Sequence, residues 1–395
     1  MMQQIPPTAS MSIPAIKPKT LLIVWIYHKA VGHVVEAISA AAQYKDSNPE
    51  ISVSLLLNSN SRCDFVGFCP WIDSYYGIDP SEEPLDQLIQ SLPKQWDYVI
   101  YPKRLSYRPD LYYTTELLAA NTAAQKYLIA REGTEVHGDP SANRPHLGFN
   151  PGARFRIKLP QGEMEWAKTF RKSGELVVTV LLGGAGKSSM YPSLKTWQRI
   201  FDAILRRHPN ARFWITGVTS DRRHGWIPAP RFNRYVQKLV ESNPVIEGFI
   251  DVGLLRQMAL IGESDVFLSP HSGFAFLAPC LGTPWLAISG GSWGEDFFAG
   301  MPFYCSLPRC PKYPCAHQMK NSCQLRTKLR VPVECMASFP KGRLDGICSA
   351  VGTLAGGAFS AEEAFAQYRS NAMEMGVDVA KLWRISDYFN RKERH

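Results

Sequence analysis

The chain has 395 residues, of which 45% are hydrophobic, 20% charged and 11% aromatic, and 44 basic against 35 acidic side chains leave a formal charge of +9. This is the make-up of a globular protein, and it excludes a disordered or fibrous chain and a disulfide-stapled miniprotein. The length favours two domains over one core. No apolar run approaches the roughly 18 residues of a spanning helix, and Leu21 to Ile26 is too short for a signal-peptide core, so the expected location is the cytoplasm. The positive excess is spread along the chain. It suits an anionic partner such as a phosphate-bearing substrate, or peripheral contact with the inner face of a membrane, and no nucleic-acid-binding motif accompanies it.

Residues 1–19 are proline-containing and aperiodic and read as a flexible leader. Leu21 to Tyr27 is a continuous apolar run of strand length; after Gly32, residues Val34, Ile38 and Ala41 recur at helical spacing toward Tyr44. Pro49 then precedes Ile51 to Leu57, a second β-rich run, so the opening unit is a right-handed βαβ crossover. Strands over Trp71 to Ile78, Trp96 to Tyr101 and Lys126 to Ala130, with helices over Glu83 to Leu92 and Thr114 to Ala124, complete an alternating first domain, residues 20–160, that ends in an irregular loop from His137 to Pro160.

Gln161 to Lys172 is a linking helix within residues 161–175. A second alternation fills residues 176–359. Its strands are Leu176 to Leu182, Arg212 to Gly217, Asp265 to Leu268 and Pro284 to Ile288. Its helices are Leu194 to Arg207, Arg231 to Ser242, Gly253 to Gly262 and Gly273 to Leu281. A Cys- and Pro-rich stretch follows from Met301 to Met336. In residues 360–395, Ser360 with Glu363 forms a capping-box pattern, Gly376 stops that helix, and Val379, Leu382, Trp383 and Phe389 share one face of a last one, expected to cross back onto the first domain. The fold class is α/β: two doubly wound Rossmann-like domains facing a central cleft.

In open parallel sheets ligands bind beyond the carboxyl ends of the strands, where helix starts present backbone N–H groups to anions. Four loops qualify: Tyr27 to His33, Gly183 to Ser189, Gly217 to Arg223 and Ser269 to Gly273. The last is the most informative. Ser269, Pro270, His271, Ser272 and Gly273 follow a buried strand and open a helix, so Gly273 admits a close ligand while the Ser272 hydroxyl and the first amides suit phosphate oxygens. A plain Ser-capped helix start would use the same residues.

From Val266 to Gly290 the chain resembles glycosyltransferase family 9, the heptosyltransferase-like enzymes of GT-B fold. That family has an apolar strand ending in Asp-Ser/Thr-Gly, two residues and His, then an Ala-containing helix, a Gly/Thr-Pro turn and a further strand ending in Gly. Here the run reads Ser269-Pro270-His271-Ser272-Gly273, then Ala275 to Leu281, Gly282-Thr283-Pro284 and Trp285 to Gly290, without a gap. Gly32-His33 stands where the family's Gly-Asp pair starts the first helix. Three positions depart: His33 and His271 replace aspartates, and Phe276 stands at the family's downstream His.

The resemblance implies transfer of a sugar from a nucleotide-diphosphate donor, held by the second domain, to an acceptor hydroxyl held by the first, inverting and metal-independent. The acceptor would be a small molecule, glycan or glycolipid, and closure of the domains would join the two halves. His33 takes the place of the general base, with His28, nearer the strand end, a competing candidate; an imidazole can accept a proton near neutral pH. Donor contacts fall on Gly184, Lys187, Ser188, Ser220, His271, Ser272 and Gly273, and acceptor contacts on Lys103 and Arg104, with Arg108, Arg131 and Glu132 also facing the cleft. Glu295 and Asp296 are candidates for donor-sugar hydroxyls. A Walker A reading of Gly183 to Ser189 fails because its first glycine falls on Leu181. A sugar-nucleotide 2-epimerase, or a non-catalytic nucleotide-sugar-binding protein, shares the architecture and stays open as an alternative.

Six of nine cysteines fall between Cys305 and Cys348. Their spacing is loose for zinc, so free thiols are expected, the competing reading being a structural zinc on Cys310, Cys315, His317 and Cys323. No metal or cofactor beyond the nucleotide-sugar co-substrate is expected.

Overall fold

A computed structural model of the chain describes residues 19–26, 30–81, 84–93, 95–102, 115–130, 135–138, 147–150, 152–184, 191–219, 231–289, 300–310, 313 and 333–376. The expected leader and the helix around Val379 to Phe389 lie outside these residues.

The first half contains β1 (Thr20–Trp25), α1 (Val31–Ser47), β2 (Ser52–Asn58), β3 (Ser74–Ile78), α2 (Leu85–Ser91), β4 (Gln95–Trp96), β5 (Tyr98–Pro102), α3 (Thr115–Tyr127), β6 (Ile129–Ala130) and β7 (Glu135–Gly138). Five strands form one all-parallel sheet in the order β3-β2-β1-β5-β7, and β4 pairs separately with β6. The second half contains α4 (Gln161–Lys168), β8 (Leu176–Leu181), α5 (Leu194–Arg207), β9 (Ala211–Gly217), α6 (Arg231–Ser242), β10 (Ile246–Ile250), α7 (Leu254–Gly262) and β11 (Val266–Pro270). A 3-10 turn (Gly273–Phe276) then runs into α8 (Leu277–Leu281), followed by β12 (Trp285–Ile288), β13 (Phe303–Ser306), α9 (Glu334–Ala337), α10 (Lys341–Ala355) and α11 (Ala361–Glu374). Its six strands are also all parallel, in the order β10-β9-β8-β11-β12-β13.

Each sheet reverses its winding once, between β1 and β5 in the first and between β8 and β11 in the second. The two reversals are registered by the same device. Asp97, just before β5, accepts from the Thr20 amide at 2.7 Å, and Asp265, just before β11, accepts from the Val177 amide at 2.8 Å. A carboxylate at one strand's entry thus sets its stagger against the neighbour. The central strands are buried throughout, as sheets covered on both faces require.

Helix α5 shows how the sequence pattern becomes a packed face. Ser193 accepts from the Thr196 amide at 3.2 Å to start it, and Trp197, Ile200, Phe201 and Ile204 are all buried against the second sheet. Helix α4 packs against the second domain as well: Trp166 meets Phe249 edge-on at 6.2 Å and lies under the Arg256 guanidinium at 4.8 Å.

Several elements differ from the sequence reading: α3 runs on through Tyr127, so that only Ile129–Ala130 of the strand read from Lys126 is extended. A strand, β7 (Glu135–Gly138), ends two residues into the stretch read as a loop from His137. The segment from Ile246 forms β10, and β13, α9 and α10 arise where no element was expected. At the C-terminus the capping box at Ser360 is present in full, and Gly376 adopts φ +70° beyond the end of α11. Helix α11 packs Phe365 and Tyr368 on Phe303 of β13 and pairs Glu362 with Arg154, which precedes α4.

The two halves share apolar packing. One continuous cluster joins Leu21, Ile23 and Val34 of the first domain to Phe267, Phe276, Leu277 and Trp285 of the second. Residues 152–160 run along this seam, with the Ile157 amide donating to the Cys280 carbonyl at 2.9 Å and the Lys158 amide to the Phe68 carbonyl at 3.1 Å.

Candidate functional site

The loops that leave β1, β8 and β11 lie at the two winding reversals, and the described parts of all three come together. A Cβ placed on Gly32 would lie 2.7 Å from the Gly273 Cα, and one on Gly273 would lie 3.0 Å from the Gly32 amide nitrogen. The start of α1 and the turn after β11 therefore pack backbone against backbone, at a separation only glycine tolerates on both sides. On the other flank, a Cβ on Gly184 would stand 3.0 Å from the Ser272 Cβ and 3.2 Å from the Tyr191 hydroxyl. Gly32, Gly184, Ser272 and Gly273 thus line one junction, two domains contributing.

Ser272 is the cap of the turn, its hydroxyl accepting from the Ala275 amide at 3.4 Å. A hydroxyl that accepts in this way still has a proton to donate outward. Behind the turn, Phe276 occupies the space beside Gly32, where an added Cβ would come within 3.1 Å of its ring, and it meets Trp285 at 6.1 Å. This explains an apolar side chain where the family has His: the position is part of the domain seam. His271 is also buried, edge-on to the Trp285 ring at 5.3 Å, and burial pushes its pKa down to about 3. It stands in the fold as a neutral imidazole.

His33 lies in the first turn of α1, one residue from the glycine contact, with its side chain 24% exposed. Its Nδ1 is 3.1 Å from Oε2 of Glu36, one helical turn on. The sequence reading gave this carboxylate no role. The signal was the i, i+3 spacing on a helix, which puts both side chains on one face. The end of β1 is pinned from α3, where the buried Asn121 side chain donates to the Ile26 carbonyl at 3.2 Å.

Of the sequence-predicted site residues, the structure brings together His33, Gly184, His271, Ser272 and Gly273. His28, Lys103, Arg104, Lys187, Ser188 and Ser220 lie outside the described residues, as do Arg108, Arg131, Glu132, Glu295 and Asp296. Of the zinc candidates, Cys315, His317 and Cys323 lie outside them too, and Cys310 is a free thiol. Among the described residues no cluster of three metal-binding side chains occurs, and no helix is long and apolar enough to cross a membrane.

No protein-family model and no curated protein sequence matches the chain. Solved structures do. A glycosyl transferase family 9 protein from Veillonella parvula superposes with a TM-score of 0.56 at 13% identity, over 88% of this chain and 100% of that one. The ADP-heptose lipopolysaccharide heptosyltransferase II of Escherichia coli gives 0.52 at 12% identity, over 85% of this chain and 99% of that one. Two all-parallel sheets, joined where their helix starts meet, give this chain the GT-B fold, on the plan of the glycosyltransferase family 9 structures.

Proposed function

We propose that this protein is a glycosyltransferase that moves a sugar from a nucleotide-diphosphate sugar to an acceptor hydroxyl, with inversion and without a metal ion. The observation that carries this reading is the meeting of Gly32, Gly184 and Ser272-Gly273 at the winding reversals of both sheets, the place where open α/β sheets bind nucleotides. The fold likeness to an ADP-heptose-using enzyme supports the donor class.

In this reading His33 is the base. Its Nδ1 donates to Glu36, which holds the tautomer in which Nε2 accepts a proton. The acceptor oxygen attacks the anomeric carbon from the side of the first domain and its proton passes to Nε2. The bond from that carbon to the phosphate oxygen breaks, and the leaving diphosphate keeps the electron pair. The amides of the turn beginning at Gly273, the Ser272 hydroxyl and the backbone at Gly184 face the charge that develops there, with Lys187 and Ser188 as further donor contacts, Ser220 toward the nucleoside, and Lys103 and Arg104 toward the acceptor. Fixed dipoles of this kind stabilise a leaving group with no reorganisation at the moment of reaction.

A panel of nucleotide sugars tested for thermal stabilisation, followed by acceptors with the best donor, checks the reading. His33→Ala lowers kcat by about 10²- to 10⁴-fold while donor affinity holds. Glu36→Ala lowers kcat about ten- to a hundredfold with KM unchanged. Unchanged turnover in His33→Ala removes the base. An epimer formed from donor alone replaces transfer with the 2-epimerase reading, and binding without product under every acceptor leaves a binding protein.

A further inference from the structure

A second charged concavity lies between two helices of the second half. Helices α5 and α10 run side by side on one face of the second sheet, packing on Val178, Val180 and Leu268, whereas the side chains of Phe267 and Trp285 point to the other face, toward the first domain. The groove between the two helices encloses about 590 Å³. Ala203, Leu344 and Cys348 form its buried floor, and Arg199, Arg206, Arg207 and Lys341 line it with one acid, Asp345.

The positive charge along the groove has little internal ion pairing. Among the described residues no carboxylate stands within ion-pair distance of Arg206, Arg207 or Lys341. Arg199 is held in place by donating to the Phe339 carbonyl at 3.0 Å. Arg206 and Arg207 sit at the end of α5, where a cation is favourable, but Lys341 opens α10, where it is not. Four exposed cations and one exposed carboxylate line the groove over about two helical turns, and planar guanidinium groups match phosphate oxygens in paired hydrogen bonds. The volume is that of a small-molecule site.

We propose that the groove between α5 and α10 is a second anion site, which takes a small soluble molecule carrying two or more phosphate charges. It is separate from the donor junction, and its occupation does not depend on the reading of that junction.

Inorganic pyrophosphate is the probe, added to the full chain at constant ionic strength. Hydrogen exchange on the unmodified protein should slow over residues 199–207 and 341–348 as pyrophosphate saturates; exchange unchanged there overturns the proposal. By calorimetric titration, Arg206→Ser with Lys341→Ser should remove one bound equivalent or weaken it at least tenfold, while Arg206→Lys with Lys341→Arg retains it. An isotherm unchanged in the serine variant overturns the site. Loss of binding to phosphatidylglycerol vesicles in the serine variant, with no effect of pyrophosphate on the groove in the unmodified chain, overturns it in favour of a lipid surface. Failure of the donor reading shows elsewhere, as absence of protection at residues 271–276 and 183–184 with the groove response intact.

Discussion

His271 shows how one side chain reports on burial. Its pKa lies near 3 in the fold, against an ordinary value near 6.5, because the low-dielectric surroundings disfavour the imidazolium form. Below pH 6.5 the unfolded chain therefore binds a proton that the folded chain refuses, so stability rises with pH in this window. The contribution is present in full above pH 6.5 and is lost as pH falls from about 6.5 to about 3, at a slope of roughly 1.4 kcal/mol per pH unit. Urea unfolding of His271→Gln beside the parent over pH 4 to 7 should show this difference in slope, and parallel curves would contradict it. At this scale the candidate site was half legible. Gly273 and Ser272 stood out because a strand runs straight into a helix there. Glu36 did not, because a glutamate on a helix is ordinary until a histidine one turn earlier is seen to hold it.

Between elements, the decisive contact is the start of α1 against the turn after β11. Gly32→Ala puts a methyl group 2.7 Å from the Gly273 backbone, and neither chain can yield as a flexible side chain would. Helix propensity alone predicts a gain of up to about 1 kcal/mol from this change. Overpacking at the seam should reverse that sign, to a loss of about 1–3 kcal/mol, measurable as a lower urea midpoint. The same conflict between local preference and packing explains the elements missing from the sequence reading. Helix α10 carries Gly342, Gly346 and Gly352, which weaken its helical signal, yet a Cβ at Gly346 would meet the Tyr304 hydroxyl at 2.5 Å and one at Gly352 would meet His208 at 2.9 Å. Close approach to its neighbours is what those glycines permit. Strand β13 is four residues between Pro302 and Pro308, too short for periodicity, and it exists because β12 offers it a parallel partner along Trp285 to Ile288.

Across the whole molecule, one apolar cluster runs through both halves, with Phe276 and Trp285 on one side of the seam and Leu21 and Val34 on the other. Domains that share a core unfold together. Calorimetry should give a single transition whose calorimetric and van't Hoff enthalpies agree, and two resolved transitions would contradict the shared core. Domain closure is not needed to bring Gly32 to Gly273, since these loops already touch. Two alternating α/β halves, the long central strands and the helix starts at Leu194, Ser272 and Ser360 follow from the sequence by itself, because hydrophobic period and capping chemistry act over a few residues. Which loops meet, which histidine stays neutral, why Phe276 stands at the seam, and where four cations line one groove were decided only by the tertiary structure. Those properties depend on packing between residues far apart in the chain, and no local pattern records such distances.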